Sequence, residues 1–153
     1  MAAARALVHG IDVDAVERAV RAAESRTTGE IRVALSRFYF WGDVRRAAAR
    51  AFDRLGMRRT RARNGVLIFV APWRRRFAIL ADDGVCGRVA PEFWHGLVGP
   101  LSEAFRVGDA TGGLARAIAA VGDQLAAHFP AGTAANPNEL SDSVALDQPR
   151  HRR

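Results

Sequence analysis

The run Val66 to Ala71, VLIFVA, is apolar at every position, so a strand built from it offers hydrophobic side chains to both faces of a sheet. Such a strand needs cover on both sides, and the segments around it must supply that cover. Pro72 to Arg75 reads as a tight turn and Phe77 to Ala81 as a returning strand, so the pair is most simply a hairpin. Upstream, Gly29 precedes a period-two run. Ile31, Val33 and Leu35 fall on one face, with Arg32, Ala34 and Ser36 on the other, which predicts a further strand.

Helical spacing fills the intervals. Val16, Val20 and Ala23 predict a helix over Asp14 to Ser25, with Asp14 and Glu17 placed like an N-cap and its third-residue partner. In GDVRRAAARAFDRLGM, the residues Val44, Ala47, Ala48, Ala51, Phe52 and Leu55 share a side while Arg46, Arg50 and Arg54 repeat on another, and Gly56 is a natural stop. Phe93, Trp94, Leu97, Leu101 and Phe105 mark a helical stretch that Gly99-Pro100 should bend or split. Asp109 or Thr111 then caps a last helix that turns Leu114, Ile118, Val121 and Leu125 inward. The segment 1–11 precedes the domain at 12–130, and 131–153 loses periodicity and aromatics, which predicts a disordered tail.

This order gives an α/β layer fold with helices on both faces of a small mixed sheet. A right-handed crossover makes the first two strands parallel, and the hairpin makes the third antiparallel to both. Glu30, Asn64 and Asp82-Asp83 therefore gather at one end of the sheet. FYFWGD and PWRRR gather at the other, an aromatic and basic cluster.

At the first end Glu30, Asp82 and Asp83 are candidate ligands for Ca or Mg, because hard cations take oxygen donors and crowded carboxylates need a cation or a proton between them. Asp82-Asp83-Gly84 read alone is equally turn chemistry, and Glu30 a solvated strand start.

Composition narrows the chemistry. All 23 basic residues are arginine, which excludes Schiff-base chemistry on lysine, and the formal charge is +7. Cys86 is the single cysteine, so no internal disulfide or cysteine cage forms, and it reads as a small hydrophobe. His9, His95, His128 and His151 show no metal-ligand pairing on one helix. DVDAV imitates the opening of a haloacid dehalogenase phosphatase, but its aspartates open a helix rather than close a strand. No apolar run reaches the roughly 20 residues of a transmembrane helix, and the N-terminus lacks a signal-peptide core, so the expected location is cytoplasmic.

TTGEIRVAL, then RNGVLIFVAPWRRRFAILADDGV, EFW, FRVGDATGGLARAIAAVGDQLAAHFP and NPNEL together resemble the TPM domain family in its short soluble bacterial form, over roughly Asp12 to Leu140. The resemblance implies a three-layer α/β/α sandwich and divalent-cation binding near the loop after the third strand. Plant relatives in the thylakoid lumen imply acid phosphatase activity, here weak; other relatives are membrane-anchored, and carry a glycine-rich segment where this chain has ADDGVCG. Glu30 in TGEI and Asp82 in ADDG stand where the family's motif places its carboxylates, and Asp109 in GDATGG matches the GD before the last helix, which adds it to Glu30, Asp82 and Asp83 as a candidate metal ligand.

Two other readings compete. One is a protein-interaction domain whose cation stiffens a loop and stabilises only the native state. The other sets Arg45, Arg46, Arg50, Arg54, Arg58, Arg59, Arg61, Arg63 and Arg74 to Arg76, with Trp41 and Trp73, against an anionic partner, nucleic acid or lipid. Solvated helix faces disfavour nucleic acid.

Overall fold

The structure is a computed structural model and describes residues 7–37, 41–132 and 140–147. In chain order it runs α1 (Val13–Glu24), β1 (Glu30–Ser36), α2 (Val44–Arg54), β2 (Gly65–Ala71), β3 (Arg76–Ala81), α3 (Asp83–Cys86), α4 (Pro91–Arg106), α5 (Ala110–His128) and β4 (Ala145–Asp147). The sheet order is β3-β2-β1-β4. β1 and β2 are parallel, β3 returns antiparallel to β2, and β4 lies parallel to β1 on its free edge.

Three layers result. α1, α4 and α5 cover one face, where Ile31, Val33, Leu35, Val66, Ile68 and Val70 join Val16, Leu101, Ile118 and Leu125 in one apolar cluster. α2 covers the other face, packing Ala48, Ala51 and Phe52 on Ala34, Leu67, Phe69 and Ala71. Every residue of β2 is buried, as an apolar strand covered on both sides must be. The α/β/α expectation therefore describes the molecule.

Four local expectations change. The cap of α1 is Asp12, whose carboxylate accepts from the Ala15 N–H at 3.1 Å, not Asp14. Glu17 is buried instead, accepting from the Val144 N–H at 3.0 Å. α4 continues through Pro100 as one helix. Pro100 and the residues before it lie on the exposed side, where water can serve the carbonyl that proline leaves without its N–H. Thr111 caps nothing; its hydroxyl accepts from the Asp12 N–H at 3.0 Å and ties the start of α5 to the start of α1.

The largest change is in the tail. Beyond residue 130 the chain returns to the sheet: Leu140 and Val144 are buried and β4 pairs Ala34 with Ala145. A short strand of low contrast gives no periodic signal, so the sequence hid it. Ile11 at 0% exposure likewise belongs to the core rather than to a separate leading segment. Positions 133–139, 148–153, 1–6 and 38–40 lie outside the described residues, and with them His151, most of NPNEL, and Phe38 and Phe40 of the aromatic cluster.

Candidate metal centre and the two ends of the sheet

The strand register brings the acidic segments to one rim. Glu30 pairs with Gly65 and Val66 with Ala81, the Glu30 N–H donates to the Asn64 carbonyl at 3.2 Å, and the Asp82 N–H donates to the Gly65 carbonyl at 2.9 Å. β2 stands between β1 and β3, so Glu30 and Asp82 start about 10 Å apart, two strand spacings. They belong to two different sites.

Asp82 is a structural residue. Its carboxylate is fully buried and takes a two-pronged hydrogen bond from Arg63, Nε to Oδ2 at 2.8 Å and Nη2 to Oδ1 at 3.0 Å. Oδ1 also accepts from the Asp83 N–H at 2.8 Å, capping α3, and the Arg58 guanidinium stands 3.9 Å away. Burial would raise this carboxyl, but the Arg63 and Asp83 hydrogen bonds, with the charges of Arg63 and Arg58, outweigh it and hold Asp82 below the ordinary carboxylate range. Asp83 points outward at 85% exposure.

The turn before β2 delivers Arg63 in a left-handed conformation, φ 51°. Gly84 is required above it, since a Cβ there would run into the carbonyl oxygens of Ala62 and Arg63. A divalent cation at Asp82 would have to displace a guanidinium already bound to both oxygens. The donor set does not fit a metal.

Glu30 keeps different company. It is 2% exposed and lies near Glu24, the last residue of α1, and Asp142 in the segment leading to β4. Glu24 Oε1 accepts from the Ile31 N–H at 2.8 Å. Burial first, then the hydrogen bond to Asp142 and the charges of Glu30 and Asp142, push the Glu24 carboxyl up to about 10, against the lowering pull of the Ile31 N–H. These causes favour the neutral form of Glu24, which hydrogen-bonds to Asp142. Beside them Asn64 is 1% exposed, and its side-chain oxygen has no hydrogen-bond partner. Arg32 lies two residues beyond Glu30 on the same strand, its guanidinium held below its ordinary value by burial. Among the described residues no group of three or more His, Cys, Asp or Glu stands at ligating geometry, so this centre is not a preformed metal cage.

Asp109 lies at the opposite rim. α5 starts beside Asp12 and ends where the Thr28 N–H reaches the Phe129 carbonyl at 2.9 Å, so its full length separates Asp109 from Glu30. There Asp109 pairs with Arg116 at 3.3 Å on an exposed surface. Of the four sequence-derived candidates, the structure brings Glu30, Asp82 and Asp83 to one end and leaves Asp109 at the other. Glu24 and Asp142 were missed because the first reads as a solvated helix end and the second falls in a stretch without periodicity. Cys86 is exposed rather than packed as a small buried hydrophobe; what desolvation it has, with Asp83 and Asp82, pushes its thiol up, and it donates to the Ala81 carbonyl at 3.2 Å.

At the far end Trp73 packs edge-on against His9, ring centroids 4.3 Å apart, and Arg74 donates to the Gly42 carbonyl next to Trp41. Besides Arg74, two further arginines assigned to an anion-binding face make internal contacts. Arg63 holds Asp82, and Arg58 lies over the Phe52 ring at 5.4 Å.

No helix among the described residues is long and apolar enough to cross a membrane. A comparison with curated proteins finds no relative of this chain. Among solved structures, the BA42 protein of the psychrophilic bacterium Bizionia argentinensis is 33% identical, covers 88% of this chain and 92% of its own, and superposes with a TM-score of 0.81. The N-terminal domain of the cg2496 protein from Corynebacterium glutamicum shares the fold alone, at 13% identity over 92% of this chain and 80% of its own, TM-score 0.58. With the TPM domain matching residues 6–124, the chain belongs to the TPM domain family.

Proposed function

We propose that this TPM domain binds a divalent cation, Ca or Mg, where β1 begins, through Glu24, Glu30 and Asp142 rather than through Asp82 and Asp83. The observation that carries this reading is the proximity of acidic side chains from separate elements: Glu24 hydrogen-bonds to Asp142 and lies beside Glu30, and burial with these neighbours pushes its carboxyl up. Crowded carboxylates are held by either a proton or a cation, and hard oxygen donors suit the two alkaline-earth ions. Glu24, Glu30 and Asp142 would hold the ion, with the Asn64 side-chain carbonyl as a neutral donor; the ion would supply charge neutralisation.

The role that follows is fastening. Glu24 belongs to α1, Glu30 to β1 and Asp142 to the returning segment, which Glu17 already holds through the Val144 N–H. A ligand that joins these three stabilises the folded arrangement over the open one. The domain is then an interaction module with a cation-set edge. Hydrolysis of a phosphate monoester rests on family likeness, and no residue at this end is assigned a catalytic role.

The test is a titration with CaCl2 and MgCl2 followed by amide chemical shifts and thermal midpoint. The Ile31 and Val144 amides should move, the midpoint should rise, and binding should tighten with rising pH because a proton leaves Glu24. The Glu24→Gln, Asp142→Asn double variant should lose the response while Asp82→Asn with Asp83→Asn keeps it. The opposite pattern, or no response to either ion in the parent chain, overturns the assignment.

A further inference from the structure

Opposite the acidic rim, a cleft of about 430 Å³ opens between the β2–β3 turn, the start of α2 and the middle of α4. Arg45, Arg74, Arg75 and Arg76 line it, with Val98 and Ser102 from α4. Asp43 is the one carboxylate in its wall, and it is engaged as the α2 cap, accepting from the Arg45 N–H at 2.9 Å. Arg74 is held by the Gly42 carbonyl. Arg45, Arg75 and Arg76 make no side-chain ion pair or hydrogen bond among the described residues, so three guanidinium groups are available to an incoming anion.

Val98 in the cleft wall, and Trp41 and Trp73 next in sequence to its lining segments, are exposed apolar side chains. Trp41 is 89% exposed, Trp73 60% and Val98 49%. Folding does not require a tryptophan to stand in water, and exposed aromatic side chains beside unpaired arginines mark surfaces that meet something else. Indole rings settle at the boundary between lipid headgroups and acyl chains, and arginine is drawn to anionic headgroups. Val98 adds an aliphatic contact that a purely polar anion would not use. The acidic residues Asp82, Asp83 and Glu30 lie at the other end of the sheet, so they do not offset the positive charge of the cleft.

We propose that the cleft receives the phosphate of an anionic lipid headgroup, with Arg45, Arg75 and Arg76 on the phosphate and Trp41, Trp73 and Val98 at the headgroup layer. The turn that presents these groups is fixed in shape. Pro72–Arg74 form a single 3₁₀ turn, the Arg75 N–H donates to the Pro72 carbonyl at 3.1 Å, and Arg75 closes it at φ 51°.

Tryptophan emission and co-sedimentation with vesicles test the idea. Vesicles of phosphatidylcholine mixed with phosphatidylglycerol should bind the protein and shift its emission to the blue; phosphatidylcholine alone should do neither. Arg76→Ser, and Arg75→Asn, chosen because asparagine tolerates the left-handed backbone, should each weaken partitioning about fivefold. Trp41→Ser with Trp73→Ser, at an unchanged thermal midpoint, should lose most of the shift, leaving half-buried Trp94 as an internal control.

Several results overturn the proposal. These are equal binding to both vesicle types, unchanged binding by the arginine variants, and saturable binding of glycerol phosphate or of a single-stranded oligonucleotide without vesicle binding. The glycerol phosphate result would assign the cleft to a soluble phosphate compound, and the oligonucleotide result to nucleic acid.

Discussion

Asp82 and Glu24 are buried carboxyl groups at the same rim of one sheet, yet their acidities move in opposite directions. Asp82 meets a guanidinium at 2.8 Å and an N-terminal helical N–H, and it is held ionised. Glu24 meets two other acids and a single backbone N–H, and its neutral form is favoured. Burial pushes both upward, so burial does not decide the outcome; the partner does. A carboxylate bound by arginine on both oxygens has its charge already met, whereas one pushed up by burial and by other acids has not. On the proposed reading the adjacent aspartates are therefore the weaker candidates for a cation.

The comparison breaks first at Asp82. Asp82→Ala removes a helix cap and leaves Arg63 without its buried partner, and should lower unfolding stability by about 2 kcal/mol in urea titrations. Asp82→Asn keeps an acceptor for the Asp83 N–H and should cost roughly half as much. A loss near zero for Asp82→Ala would mean that the two-pronged contact holds nothing together.

Next is the pH response, where the two groups work on opposite limbs. The folded value of Asp82 is depressed, so its contribution is present above the unfolded value of 3.8 and is lost as pH falls through the lower folded value. The folded value of Glu24 is raised, so its contribution is complete below the unfolded value of 4.5 and drains away as pH climbs toward about 10. Without divalent cations, stability should fall by about 1.4 kcal/mol between about pH 6 and about pH 7, and Glu24→Gln should flatten that slope while sparing the acid limb. Added Ca or Mg should flatten it too, by taking the place of the proton. A slope that Glu24→Gln leaves intact would place the titrating proton elsewhere.

The legible part of this molecule was its topology. The all-apolar Val66 to Ala71 run, the alternation from Ile31 to Leu35 and the tight turn at Pro72 carry strand identity, polarity and the layered fold in local pattern, and from these the convergence of Glu30 with Asp82 follows. Partner identity was not legible. That Arg63 claims Asp82 depends on a left-handed turn and on the clearance over Gly84, neither of which has a period. That Asp142 meets Glu24 depends on β4, a three-residue strand whose register is set by the edge it joins rather than by its own sequence. Pro100 does not split α4, because the hydrogen bond that a proline removes is lost on the wet side.

The smallest expected effect sharpens the same contrast from the far end of α5. Asp109 occupies the cap position but makes no capping hydrogen bond, and its ion pair with Arg116 is 54% exposed on the acid side and 66% on the arginine side. Exposed pairs of this kind contribute well under about 1 kcal/mol, because water screens the charges and ordering two side chains costs entropy. Asp109→Asn should therefore shift the urea midpoint by no more than a few tenths of a kcal/mol equivalent. It should also leave the Ca and Mg titration of the Ile31 and Val144 amides unchanged, since a helix of 19 residues separates it from Glu30. A variant that weakened cation binding from that distance would tie the start of α5 energetically to its end. The Glu24–Asp142 hydrogen bond would then report on the whole α1–α5 layer rather than on one corner of the sheet.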